Sequence, residues 1–389
     1  MRSRTLRERL SGMSVVELMV AMAIGLAGVI VIFQVYAVNE GIRRSTTAGS
    51  DEQTSGILGL TLIERELRHA GFGINDFDLI GCTMQMYDSQ QTPSDVPAFP
   101  LTAVAITSNA GSTPDVITVT YGQPTQTTAP VLLSKDMDDP TARLDLIYRF
   151  GFSVNDVLLV AQPNAPCTLR QVTSLPPTNA GAFLNHAGGV RFNKGSGTPM
   201  AYQALAQARV INLGASPVRN QITVRTGAAD PSSNNQLIVT NRWGDNTATA
   251  VAEQIVQLKA EYGMDDGINN GTVTRATYLA DDNMVDRYTT AAPATPQAWG
   301  RVRSVRIAIV SRSNAPEKPN SGTTCDATPA FDPTLNPPAT GGYPVRWAYG
   351  PDAPKGRPID VSSDPNWRCY KYKVYETVVP LRNMLWRQA

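Results

Sequence analysis

The sequence predicts an α+β protein: one long N-terminal α-helix, membrane-spanning in its first part, packed on a β-rich head. Three observations carry this. Residues 18–38 form an apolar run in which Gln34 is the one strongly polar side chain. Apolar residues then continue at helical spacing as far as Ala70. Beyond residue 74 the pattern changes to short β-rich runs separated by turn clusters.

The helix is justified first. Those 21 apolar residues would span about 31 Å as a helix at roughly 1.5 Å per residue, which matches a hydrocarbon core of about 30 Å. The arginine-rich stretch "MRSRTLRERLS" before them orients the N-terminus to the cytoplasm. A secretory signal would have a shorter core of about 7 to 15 residues and a small-residue cleavage site. Here the run passes into "QVYAVNEGIRRS" with no A-x-A. Glu17 stands at the head of this segment, five residues after Gly12. A carboxylate near the end of a membrane helix costs a few kcal/mol unless it finds a partner, which makes it a functional candidate.

Further along, "TSGILGLTLIERELRHAGFG" sets Leu60, Ile63, Leu67 and Ala70 on one stripe, with Glu64 and Arg68 as an i,i+4 pair on the wet side. Gly71 and Gly73 supply the stop. Gly41, Gly49, Gly56 and Gly59 weaken the middle, so a bend or break is expected between 41 and 56. The reading divides the chain into 1–12, 13–38, 39–73 and a head over 74–389, one elaborated unit rather than several domains.

Strands are expected at "DVITVTYG" (115–122), "DVLLVAQ" (156–162), "NQITVRTG" (220–227) and "QLIVTNRWG" (236–244). "AEQIVQLKAEYGMD" (252–265) reads as a short helix running into a strand. "RVRSVRIAIVSRS" (301–313) reads as a central or half-buried strand, and "CYKYKVYETVVPLRN" as a last strand stopped by Pro380. Between these two lies a long insertion, 314–368, dense in proline, glycine and asparagine. The four cysteines, Cys82, Cys167, Cys325 and Cys369, have no C-x-x-C spacing. In an exported chain they read as two disulfides with three pairings open. A Cys325–Cys369 bond would tether the insertion, closing a loop of roughly 45 residues for about 3 to 5 kcal/mol under the chain-entropy model. That choice leaves Cys82–Cys167.

Composition restricts the chemistry. A formal net charge of +1 with interspersed signs gives no reason to expect nucleic acid as a partner. Just two histidines occur, His69 in the last helical turn and His186 in a loop, and no G-x-S-x-G elbow surrounds a serine. Neither a P-loop nor a dinucleotide fingerprint is visible. The expectation is therefore a non-enzymatic chain without a cofactor. "DDGINNG" (265–271) is a hairpin turn in this reading, with Asp265, Asp266 and Asn269 as a weak calcium candidate that lacks EF-hand spacing. "KDMDDP" (135–140) is weaker still.

The order basic leader, Gly12, Met13, Ser14, Glu17, apolar helix resembles the class III leader of type IV pilins and pseudopilins. The resemblance implies that prepilin peptidase cuts between Gly12 and Met13 on the cytoplasmic side and methylates the amine of Met13. Phenylalanine is the commoner first residue in that family, so Met13 is a departure. It also implies a role for Glu17: its carboxylate pairs with the α-amine of a neighbouring subunit inside the helical bundle, where loss of water strengthens the attraction. Six blocks, "LIERELRHAGFG", "LIYRFG", "AEYGMDDGINNGTV", "WGRVRSVRIAIVSRS", "YETVVPLRN" and the "GC" at 81–82, look like the PilW-type minor pilins. That likeness implies a pilin-like fold with a periplasmic head, anchorage in inner-membrane lipid, and a later place at the pilus tip. The implied partners are other minor pilins, the major pilin and a tip adhesin, in support of adhesion and twitching motility. The alternative is the type II secretion pseudopilin J, which shares the leader and a comparable head.

Overall fold

The computed structural model describes residues 13–74, 76, 79–126, 129–177, 181–227, 234–274, 276–317, 319, 325, 327–328, 345–351 and 356–385. Gly12 and the leader, and much of the 314–368 insertion, lie outside the described residues. By its contacts the chain forms two compact units, Met1–Asp51 and Glu52–Ala389.

In the first unit the described residues are the start of one α-helix, Val15–His69, whose side chains through the apolar run are exposed. The helix is long and apolar enough there to cross a membrane, by length and composition. Of the bend or break expected between 41 and 56, the break is absent: the helix runs through those residues to His69. The glycines have two different reasons. A side chain at Gly41 or Gly49 would meet open space. At Gly56, in the second unit, a Cβ would lie 2.2 Å from the Tyr375 ring, and at Gly59 one would lie 3.2 Å from Ile309 Cδ1. The latter pair are points of close approach between helix and sheet, not breakers.

In the second unit the helix packs by the predicted stripe. Ile63, Leu67 and Ala70 are fully buried, and Leu60 rests against the same core. Arg68 Nη2 donates to Glu64 Oε1 at 2.5 Å on the exposed side. Gly71 and Gly73 take positive φ, 79° and 75°, and end the helix as expected. Two antiparallel sheets meet this stripe. One runs in the order Arg287–Thr289, Ile255–Met264, Val302–Arg312, Tyr372–Pro380. The other runs Ala248–Ala252, Gln236–Asn241, Val218–Arg225, Val116–Tyr121, Val104–Thr107. Ile117, Val119 and Ile222 from the second sheet and Val305, Ile307 and Ile309 from the first fill the shared core.

Residues 252–265 contain no helix. Ile255–Met264 is a strand throughout, because pairing on both edges, with Val302–Arg312 and Arg287–Thr289, overrides the local helical pattern. Nor is "DDGINNG" a tight hairpin turn: the chain leaves the strand at Asp265 and returns only at Arg287. The 301–313 segment is central and covered on both faces. Ala308 and Val310 pack under Val345, Trp347 and Ile359, which belong to a two-stranded piece, Val345–Trp347 with Arg357–Ile359, supplied by the insertion.

A second lobe interrupts the second sheet. Strands Val116–Tyr121 and Val218–Arg225 are hydrogen-bonded neighbours, with Tyr121 opposite Val218, yet the chain between them builds a separate sheet. Its order is Val131–Leu132, Arg209–Asn212, Val157–Ala161, Thr168–Gln171, with its own apolar clusters around Leu158, Tyr202 and Leu169. The chain enters and leaves side by side: Gln123 N donates to Leu213 O at 2.7 Å. Gly214 holds φ +80° there, and a Cβ would lie 2.3 Å from Gln123 O.

Candidate functional site

The helix head is built from four residues. Met13 and Ser14 precede the helix, and helical hydrogen bonding begins with Leu18 N donating to Ser14 O at 3.1 Å. Val16 N donates to Ser14 Oγ at 3.3 Å, and Ser14 N donates to Glu17 Oε2 at 3.4 Å. The serine caps the second helical N–H, and the acid three residues on reaches back to the serine N–H, as in half of a capping box. The sequence signal for it is the S-x-x-E at 14–17. Glu17 therefore has a partner in its own chain, and its negative charge sits at the positive end of the helix dipole. The bond is long and exposed, so the carboxylate remains available to a stronger donor. Ser14, Val16, Glu17, Val20, Ala21 and Ile24 line one continuous shallow surface, which sets the acid at the edge of an apolar face.

In the head, Cys82 is bonded to Cys167 and Cys325 to Cys369. The first bond fastens the segment after the helix to the strand Thr168–Gln171 of the second lobe. The second tethers the insertion beside the last strand, Tyr372–Pro380. No free cysteine remains.

The residues considered for calcium are held differently. Asp265 is fully buried and accepts from Arg303 Nε at 2.9 Å and from Asn283 N at 2.8 Å. Asp266 accepts from Arg287 Nη2 at 2.6 Å, and Asn269 Oδ1 accepts from Gly271 N at 2.8 Å. Arginine already neutralises both carboxylates, and among the described residues no cluster of His, Cys, Asp or Glu has a metal-binding arrangement. In "KDMDDP", Asp139 accepts from Thr141 N and closes a local turn, while Asp136 accepts from Ala204 N, 68 residues away. His69 lies against the Tyr121 ring at 5.6 Å. His186 is buried, and burial lowers its pKa below the ordinary histidine value.

Three groups had no individual sequence signal. Glu66 projects from the buried side of the helix and accepts from Tyr121 Oη at 3.1 Å and Asn220 Nδ2 at 2.7 Å, tying helix to sheet by a polar contact. Glu52, near the point where packing begins, is buried, and its Oε1 has no hydrogen-bond partner. Burial raises its pKa from 4.5 to about 7 against the opposing pull of Lys373 and Lys371. Glu261 is buried between Arg306, whose Nη2 donates at 2.5 Å, and Arg357.

A long apolar N-terminal helix, together with a disulfide-pinned body of antiparallel sheets, defines the chain as an α+β protein. Residues 223–383 match the family model for Type IV Pilus-assembly protein W. Over that span the chain is similar to the PilW family, and the family implies a role in type IV pilus assembly. The match takes in the whole four-stranded sheet and the insertion; the helix and the second lobe precede it. No curated protein and no solved structure matches the chain.

Proposed function

We propose that the chain is a minor pilin, inserted in the inner membrane with its N-terminus cytoplasmic and its head periplasmic, then placed at or near a pilus tip. The observation that carries this is the union of a PilW-family domain with an apolar helix headed by Gly12, Met13 and Glu17. Full pairing of the head's cysteines supports an oxidising compartment. In this reading prepilin peptidase cuts after Gly12 and methylates Met13. Before assembly Glu17 rests on the Ser14 N–H; in the bundle, a neighbour's charged amine displaces that weak exposed bond. An unpaired charge in the bundle is penalised, so the pair sets axial register. The head contacts other minor pilins, the major pilin and a tip adhesin, and the protein acts without enzymatic chemistry.

Mass spectrometry of the purified N-terminus tests the processing. The expected product begins at methylated Met13, and an intact Met1 in cells that possess the leader peptidase would defeat the reading. Glu17→Val should still be inserted and cut, yet fail to support pilus extension; normal piliation would remove the carboxylate from assembly. Loss of surface motility with intact enzyme secretion in a deletion strain separates the pilus role from the secretion pseudopilus.

A further inference from the structure

Arg170 lies in the strand Thr168–Gln171 of the second lobe, on the same face as Thr168. It is 2% exposed, but among the described residues no carboxylate pairs with it. Its hydrogen bonding is one contact, Nη1 to the Lys194 carbonyl at 3.4 Å, and Nε has no partner. The ionisable groups around it are Tyr202, whose hydroxyl donates to Pro166 O, and His186, whose Nε2 meets Ala142 O at 2.7 Å. Neither brings a negative charge at neutral pH. Burial pulls the guanidinium down to about 10. A charge held this way costs several kcal/mol unless something compensates it, and a well-packed core would place an apolar residue here instead.

The compensating space is present. Arg170 lines a cavity of about 370 Å³ between the hairpin Thr83–Tyr87/Asp95–Pro100 and the turn at 194–199. One carboxylate, Asp95, lines the same cavity, and Lys194 Nζ already holds it at 2.7 and 2.8 Å. Lys194 and Asp95 cancel, so the cavity carries one net positive charge, that of Arg170. Its volume is in the range of small-molecule sites, roughly 300 to 1,000 Å³. The planar guanidinium suits a carboxylate's two oxygens. A phosphate dianion would leave one negative charge without a mate.

We propose that this cavity binds a small monoanionic carboxylate, up to the size of a single acidic sugar, with Arg170 as its counter-ion. The site lies between that hairpin and the lobe inserted in the second sheet, and does not depend on how the helix head works.

The test is thermal unfolding of the detergent-solubilised full chain at constant ionic strength, titrated with sodium glucuronate. Glucose, sodium chloride and sodium phosphate serve as comparisons. Glucuronate is expected to raise Tm saturably while glucose and chloride do not, and Arg170→Met is expected to abolish the response while itself melting higher than the parent. Arg170→Lys retains the charge without the fork, and should weaken the apparent Kd about tenfold; this arm decides if Arg170→Met does not fold. A glucuronate response that survives Arg170→Met or is unweakened in Arg170→Lys overturns the proposal. So does the absence of any glucuronate response, or a phosphate response as strong as the glucuronate one.

Discussion

Glu52 shows how a single buried group acquires a pH dependence. Its carboxyl lies among Ser311, Tyr375, Lys371 and Lys373, where burial outweighs the pull of the two lysines. With a folded pKa near 7 against 4.5 when exposed, the folded state holds the proton more tightly than the unfolded one. The stability this group contributes is complete below about pH 4.5, declines as pH rises, and is gone above about pH 7. Glu52→Gln should match the parent at pH 4 and become progressively more stable than it up to about pH 7.5, with a constant difference beyond. Paired thermal scans across that range check this; a constant offset at every pH would mean that the carboxyl does not titrate there. Glu17 offers a contrast at the same scale. Its capping contact is local and readable as S-x-x-E, whereas nothing in the residues around Glu52 announces that a sheet will cover it.

At the scale of the element, the N-terminal helix contains two kinds of glycine that look alike in sequence. Gly49 faces open space, and Gly56 faces the Tyr375 ring. Gly49→Ala should stabilise the helix by up to about 1 kcal/mol, through propensity alone. Gly56→Ala places a Cβ into the ring and should destabilise by about 1 to 3 kcal/mol as overpacking outweighs propensity. Chemical denaturation of both variants checks the sign. If Gly56→Ala also stabilises, the close approach is not tight. Helix propensity counts each glycine the same, whereas the helix runs unbroken past all four. The strand at 255–264 shows the reverse: a locally helical pattern becomes a strand once two neighbours take up its edges.

At the scale of the molecule, the second lobe is inserted between two paired strands and fastened by Cys82–Cys167, bonded across a separation of 85 residues. Under the chain-entropy model a loop of that length contributes about 4 to 5 kcal/mol. Replacing both cysteines by serine should lower stability by an amount of that order while leaving Cys325–Cys369 intact. Urea unfolding of the oxidised protein measures it, and a loss below about 1 kcal/mol would show that the lobe's own packing holds it in place. The helix with its stripe, the four strands at 115–122, 156–162, 220–227 and 236–244, the long strands at 301–313 and 369–383, and the cysteine pairing were legible in sequence. The start of the apolar helix was legible as well, because a run of apolar residues is a local signal. The insertion of one lobe within another was not, since Tyr121 and Val218 become neighbours only when the chain returns.

By itself the sequence determined where the helix runs, which of its faces is apolar, where the main strands lie and which carboxylate heads the chain. Each of these depends on residues within a few positions of one another. Tertiary structure alone decided which glycines are close contacts, that Asp265 and Asp266 belong to arginines, and that Glu52 and Arg170 are buried without full compensation. Those outcomes turn on desolvation and on partners far along the chain, and neither is set until the sheets have closed over the side chains.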